Sequence, residues 1–388
     1  MSHKNSSKPS MAVVRPFKPN LAELSVYKAF LEKFDLSFFY TGYDEGDCES
    51  EIQSMGLKGI RIKRYLGYTD FLKTKNLQRL LDFKIGVGSF LFSRLKEILD
   101  HDYINIVDPI YAYTYQIFRS LNPKQKLIII RWENIFGRYD KIFLPSKVAN
   151  KILSRADFVI CTSKASLNTF PILKEFTGKI AHIYPGIFLK FIFKDNIDIK
   201  FDQVISSNTP SILFVGRVQW SKGIHDLIIA TYILKEEFKL DVNLNIVGAG
   251  EINTLRNLVK SLRLEEKVKF WGPLSNKEVR NFMKNSTLFC FPSLLSPTWN
   301  EQFGFSLVEA MASKLPIVAY DTGVIKEILG DDGVYASAGN AYSLAEAMQK
   351  LVLDINLSRK IKENLRLRVL DKFDADKQGK EMLNFICP

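Results

Sequence analysis

The 388-residue sequence predicts an α/β protein made of two doubly wound domains. Three observations carry that expectation. Short apolar, β-rich runs recur along the chain, each followed by an amphipathic helical pattern. Most of these runs lack polar alternation, as strands buried on both faces of a parallel sheet do. The series stops in a polar stretch and then restarts, and the length allows each half its own core. Ligands of such sheets bind beyond the carboxyl ends of the strands, so two domains of this kind are expected to face a cleft.

The elements follow in order. Residues 1–10 read as a loose polar tail. "MAVVRP" then reads as a strand, "LAELSVYKAFLEKF" as a helix and "DLSFFYTG" as a second strand. "YINIVD", "KLIIIRW", "DFVICTS" and "IAHIYPG" continue the series. The break falls in "KDNIDIKFDQVISSNTP", 194–210, which is weakly periodic and ends in a turn-forming Asn-Thr-Pro. It sets a first domain over 11–195 and a second over 196–370. The second series runs through "SILFVG", "GIHDLIIATYILKEEF", "VNLNIVGAG", "EINTLRNLVKSLRL", "VKFWG", "NKEVRNFMKNS", "LFCFPS", "SLVEAMASK" and "PIVAYD". A helix over 371–388 closes the chain and is expected to return to the first domain.

Composition narrows the class. With 46% apolar and 25% charged residues the chain is globular. Its apolar runs fall well short of the roughly 20 residues that cross a bilayer. "MSHKNSSKPS" is polar, with no apolar signal core behind it. Cys48, Cys161, Cys290 and Cys387 lie far apart without metal-site spacing and read as reduced core thiols of a cytoplasmic protein. His3, His101, His182 and His225 are dispersed, and none is assigned as a metal ligand. The net charge of +12 is uneven, since residues 1–200 hold 31 Lys and Arg against 20 Asp and Glu. That half carries either a solvated basic face or a contact with something anionic: a membrane surface, a phosphorylated lipid or a nucleic acid. No zinc-finger spacing or recognised RNA-binding signature accompanies the charge, which argues against nucleic acid.

Two stretches carry candidate chemistry. In "LFVGRVQWSKG" a strand ends at Gly216, and Arg217 and Lys222 follow on the loop before a helix. Two cations at the ligand edge of a sheet suit a diphosphate, with Arg gripping oxygens by its fork and Lys acting as a point charge. In "EQFGFSLVEAM", Glu301 precedes a helix expected from Ser306 to Ser313, and Gly304 lets the backbone approach a ligand. The N–H groups from Phe303 to Ser306 form the positive end of that helix. Glu309 lies about one turn in. Two carboxylates beside an anion site make sense as acceptors from hydroxyls, which a nucleotide sugar offers on both sides of its diphosphate. Taken singly, each Glu is equally well read as a helix-end or surface charge.

"GRVQWSKG", "IVGAGE", "VKFWGPLSNKEV", "FPS…EQFGFSLVEAMA" and "PIVAYDTGVIKEIL", in this order and spacing, resemble the donor domain of family 4 (group 1) glycosyltransferases of GT-B fold, with two Rossmann-like domains. The resemblance covers roughly residues 150–370. It implies that Arg217 and Lys222 bind the donor diphosphate and that Glu301, with the backbone of Phe303, Gly304 and Phe305, holds the donor sugar. It further implies that Glu309 binds ribose, that Gly250 and Leu274 lie near the base, and that transfer retains configuration without a metal or other cofactor. The first domain would bind the acceptor.

The chain departs from the family's pattern at several places. "RPFKPN" supplies Lys18, Pro19 and Asn20 where relatives have a glycine-rich loop. Trp132 and Glu133 stand where many relatives carry a His. Glu133 there positions an acceptor hydroxyl, acts as a base, or pairs with Arg131 or Arg138 as a buried structural residue. Lys314 replaces an expected Gly and strains the helix end, and Phe188 replaces an Asp. "DAD" at Asp374–Asp376 has metal-motif spacing but lies beyond the last sheet, and "GVGSF", 86–90, lacks the third glycine of a dinucleotide loop. The basic segment 71–99 reads as core-packing helices with a solvated face rather than as membrane attachment.

The function expected is transfer of a sugar from a nucleotide-diphosphate donor, UDP- or GDP-linked, to a glycan or lipid-linked acceptor in polysaccharide or glycoconjugate synthesis. The basic half suggests peripheral contact with the anionic cytoplasmic face of a membrane. A nucleotide-sugar hydrolase or epimerase of the same fold, or a catalytically silent sugar-nucleotide binding protein, remains the alternative.

Overall fold

The computed structural model describes residues 8–15, 21–40, 48–62, 94–109, 111–135, 146–171, 176–189, 209–296 and 299–388. Lys18, Pro19, Asn20, Arg138, "GVGSF" and most of the segment 71–99 lie outside the described residues. The chain divides into two compact units, Met1–Gly186 with Ala375–Pro388, and Ile187–Asp374.

The first unit is built on β1 (Ser10–Arg15), β2 (Asp35–Tyr40), β3 (Lys58–Arg61), β4 (Tyr103–Val107), β5 (Lys126–Arg131), β6 (Phe158–Cys161) and β7 (Lys179–His182). They form a parallel sheet in the order β3-β2-β1-β4-β5-β6-β7. Met11, Ala12, Val13 and Val14 are all fully buried, as suits an interior strand of a parallel sheet covered on both faces. The connecting helices are α1 (Leu21–Ser25), α2 (Cys48–Ser54), α3 (Leu95–Leu99), α4 (Ala112–Ser120), α5 (Ser146–Arg155) and α6 (Lys164–Asn168).

The second unit holds β8 (Ser211–Val215), β9 (Asn243–Val247), β10 (Val268–Gly272), β11 (Leu288–Phe291), β12 (Ile317–Tyr320) and β13 (Val334–Ala336). Their parallel order is β10-β9-β8-β11-β12-β13. The helices are α7 (Ile224–Glu236), α8 (Asn253–Ser261), α9 (Asn276–Asn285), α10 (Phe305–Ala312), α11 (Gly323–Leu329), α12 (Ala341–Leu353) and α13 (Ile355–Lys372). A last helix, α14 (Ala375–Ile386), belongs to the first unit, where Ala375, Met382, Leu383 and Ile386 enter the core.

Two details differ from the sequence reading. Helix α10 starts at Phe305, one residue early, because Gly304 already turns the chain into it. Cys161 and Cys290 are buried, but Cys387 is only half-buried, since it follows the end of α14 rather than lying in a strand. Among the described residues no helix is long and apolar enough to cross a membrane.

Candidate functional site

In the second sheet β9 and β10 lie on one side of β8, while β11, β12 and β13 lie on the other. The direction of winding reverses between β8 and β11, and at such a reversal the loops beyond the strand ends part to leave a crevice. The candidate residues come from these two loops and the helix after the second. Gly216 and Arg217 directly follow β8. Lys222 lies in the short 3-10 turn Trp220–Lys222 before α7. Ser293 and Glu301 follow β11.

The two cations differ in kind. Arg217 is exposed, whereas Lys222 is only 6% exposed and forms an ion pair with Glu301. Glu301 Oε2 also accepts from Ser293 Oγ at 3.2 Å. The Trp299 ring links the two cations, with Arg217 Cζ 5.3 Å and Lys222 Nζ 5.2 Å from its centroid. Lys222 Nζ is also 5.6 Å from the Phe291 ring. A buried ammonium is tolerable here because a carboxylate and two π-faces replace its water.

Helix α10 is aimed at the same place. Gly304, at φ 82°, takes the left-handed conformation that the turn into α10 requires. Ser306 Oγ donates to the Val215 carbonyl at 2.8 Å, which fastens the helix start to the end of β8. Phe303 is buried, 5.0 Å from Phe305 and 5.6 Å from Phe373 between ring centroids. Gly250 bridges to Val218, and a Cβ there would fall 2.0 Å from the Val218 carbonyl oxygen. Only glycine lets the loops after β8 and β9 close on one another. Leu274 is half-buried in the connection from β10 to α9.

Glu309 lies on the second turn of α10, half-buried. Desolvation pushes its carboxyl up to about 7, against the pull of the Arg280 guanidinium on α9. The structure thus brings Gly216, Arg217, Lys222, Glu301, Phe303, Gly304, Phe305 and Ser306 around one sheet end, with Gly250, Leu274 and Glu309 on neighbouring elements of the same unit.

Glu133 belongs to the first unit, just beyond β5, and is 2% exposed. Its Oε1 accepts the Ile135 N–H at 2.8 Å. Buried Arg131 donates to the Glu133 carbonyl oxygen at 2.7 Å and to Thr169 Oγ1 at 3.0 Å. Asp108, which the sequence reading did not single out, accepts from Trp132 N at 3.2 Å and Glu133 N at 3.3 Å. Burial pushes its carboxyl up to about 7, with Arg131 opposing and the Glu133 charge adding to the shift. An Asp-Pro directly after the apolar run of β4 was the available signal. Ser293 and Trp299 were also missed. Ser293 had the "FPS" ending of β11 as its signal, while Trp299 had none, because the Ser296–Trp299 bridge that turns it inward has no periodicity. Asp374 is paired through its backbone to Ile187, and Asp376 opens α14.

Residues 195–368 match the model of the family "Glycosyl transferases group 1". The N-acetyl-alpha-D-glucosaminyl L-malate synthase of Bacillus anthracis is 29% identical over 229 residues, 58% of this chain and 58% of that protein. The phosphatidyl-myo-inositol mannosyltransferase of Mycobacterium leprae is 33% identical over 145 residues, 37% of each. The chain spans about half the length, or less, of these curated relatives. Among solved structures, Anabaena HepE in complex with UDP and glucose superposes with a TM-score of 0.72 at 18% identity, covering 97% of this chain and 99% of that one. Two parallel α/β units of this topology match the GT-B fold of such structures, and residues 195–368 are similar to the group 1 glycosyltransferases.

Proposed function

We propose that the protein transfers a sugar from a nucleotide-diphosphate-sugar donor to a glycan or lipid-linked acceptor, with retention of anomeric configuration. The observation that carries this reading is the Lys222–Glu301–Ser293 cluster beside the start of α10 at the reversal point of the second sheet. Arg217, exposed on the same loop, grips the diphosphate, and Lys222 with the amides of Phe303, Gly304 and Phe305 stabilises the charge that grows as it departs. Glu301, oriented by Lys222 and Ser293, accepts from donor-sugar hydroxyls. Glu309 accepts from ribose hydroxyls, and Gly250 and Leu274 border the base. Glu133 in the first unit positions the acceptor hydroxyl.

Two comparisons support this donor and acceptor class: HepE was solved with UDP and glucose, and the Mycobacterium leprae relative is named a phosphatidyl-myo-inositol mannosyltransferase. The basic excess of residues 1–200 suits an anionic, membrane-associated acceptor. The test is a thermal-shift screen against UDP, GDP, ADP and their sugar conjugates, followed by assay of nucleotide release with and without candidate acceptors. One nucleotide should raise the melting temperature, and Arg217→Ala and Glu309→Ala should abolish the shift. Release at the same rate with and without acceptor would make the protein a hydrolase instead. Flotation showing no preference for vesicles containing anionic lipid would remove the membrane contact.

A further inference from the structure

In the second unit Met283 on α9 meets Ser313, the residue that caps the end of α10, with Sδ and Oγ 3.8 Å apart. Arg280 lies one turn before Met283 on the same face of α9. Glu309 lies one turn before Ser313, which hydrogen-bonds back to its carbonyl at 2.8 Å. Arg280 and Glu309, each one turn back from these residues, lie within electrostatic reach of one another, nearer the helix N-termini and so nearer the ligand edge of the sheet. Helix α9 is held firmly in this position. Ser275 and Glu278 form a capping box at its start, Phe282 and Met283 are buried, and Phe282 lies 5.0 Å from Trp271.

Among the described residues Arg280 and Glu309 interact electrostatically without closing an ion pair. Arg280 Nε is buried with no hydrogen-bond partner. A guanidinium has five donors and no acceptor, so a buried unpaired Nε beside a carboxylate that it does not touch marks a place for an oxygen-bearing group between them.

We propose that Arg280 is a specificity-determining residue of the nucleotide site, its guanidinium donating to an oxygen of the nucleoside whose hydroxyls Glu309 accepts. The inference rests on the donor reading above. The oxygen belongs either to the ribose or to a ring carbonyl of the base, and both offer the same acceptor chemistry.

The experiment is calorimetric titration of the full-length protein and its Arg280→Leu and Arg280→Lys variants with UDP, GDP, ADP and inorganic pyrophosphate at pH 8. Arg280→Leu should raise the Kd of the nucleotide that binds by about 10-fold or more, the usual loss for a charge-assisted hydrogen bond. Arg280→Lys should lose less. Pyrophosphate, which does not reach the nucleoside end, should bind all three proteins within about 2-fold. A penalty that vanishes with the 2′-deoxy nucleotide assigns the contact to the ribose, and one that persists assigns it to the base. Unchanged nucleotide affinity in Arg280→Leu, or an equal loss for pyrophosphate, overturns the inference alone. A wild-type protein that binds none of the three nucleotides overturns the donor reading and this inference with it.

Discussion

At the scale of single residues, the pairing of Lys222 with Glu301 governs what substitutions will do. Both side chains are largely buried, at 8% and 12% exposure, so removing one leaves the other charge desolvated. Lys222→Ala is expected to lower stability by about 3 kcal/mol or more, as loss of one partner of a buried pair does. The double variant Lys222→Met with Glu301→Gln should recover much of that loss while remaining inactive, a comparison that urea unfolding and nucleotide release settle together. Glu309 sets a pH dependence. Its carboxyl titrates near 7 when folded against an ordinary 4.5, so between those values the folded protein holds a proton that the unfolded chain has lost. This contribution to stability therefore falls as pH rises through that window, and on the proposed role of Glu309 nucleotide affinity is expected to rise as the carboxylate forms. Glu309→Gln should be more stable than wild type at pH 8, by on the order of 1 kcal/mol after allowing for its partial exposure, yet bind nucleotide more weakly. Asp108, pushed the same way by burial, keeps part of the pH slope in that variant.

At the scale of elements, helix ends hold testable energy. Lys314 follows α10 with φ 58°, the left-handed conformation in which a Cβ is crowded, at the position where the family pattern has Gly. The turn still closes, with Leu315 N donating to the Ala310 carbonyl at 3.1 Å. Lys314→Gly should stabilise the second unit by about 1 kcal/mol, less a few tenths for the exposed contact with Glu363. At the other extreme, Ser275→Ala breaks the capping box of α9 and should cost about 1 kcal/mol in the unfolding free energy. Because α9 also carries Arg280, fraying of its first turn should weaken nucleotide binding beyond the loss in stability. The strand runs were legible because short apolar runs such as Met11–Val14 and Leu288–Phe291, bounded by Ser10 and Arg15 and by Thr287 and Pro292, suit a doubly covered strand between helical patterns. Helix starts were less so: α10 begins at Phe305 rather than Ser306 because Gly304, not a Ser side chain, sets the turn.

At the scale of the whole molecule, the first unit is completed by residues from the end of the chain. Truncation after Asp374 would remove Ala375, Met382, Leu383 and Ile386 from its core, and each buried aliphatic side chain is worth about 1.5–3 kcal/mol. The first unit is expected to lose its cooperative transition in calorimetry, while the proposed nucleotide binding, assigned to the second unit alone, should persist. The sequence alone determined the α/β class, the restart of the strand series and the residue types around the proposed diphosphate site. Those depend on local periodicity and on short motifs whose members lie within a dozen residues. Tertiary structure alone decided that Lys222 is spoken for by Glu301, 79 residues later, that Trp299 spans both cations, and that Arg280 stands against Glu309. It also decided that Asp108 lies under the backbone of Trp132 and Glu133. The reason is the same in each case: parallel strands bring together loops that are distant in sequence, and burial, which sets the charge state and partner of each group, is a property of what surrounds a residue rather than of its neighbours along the chain.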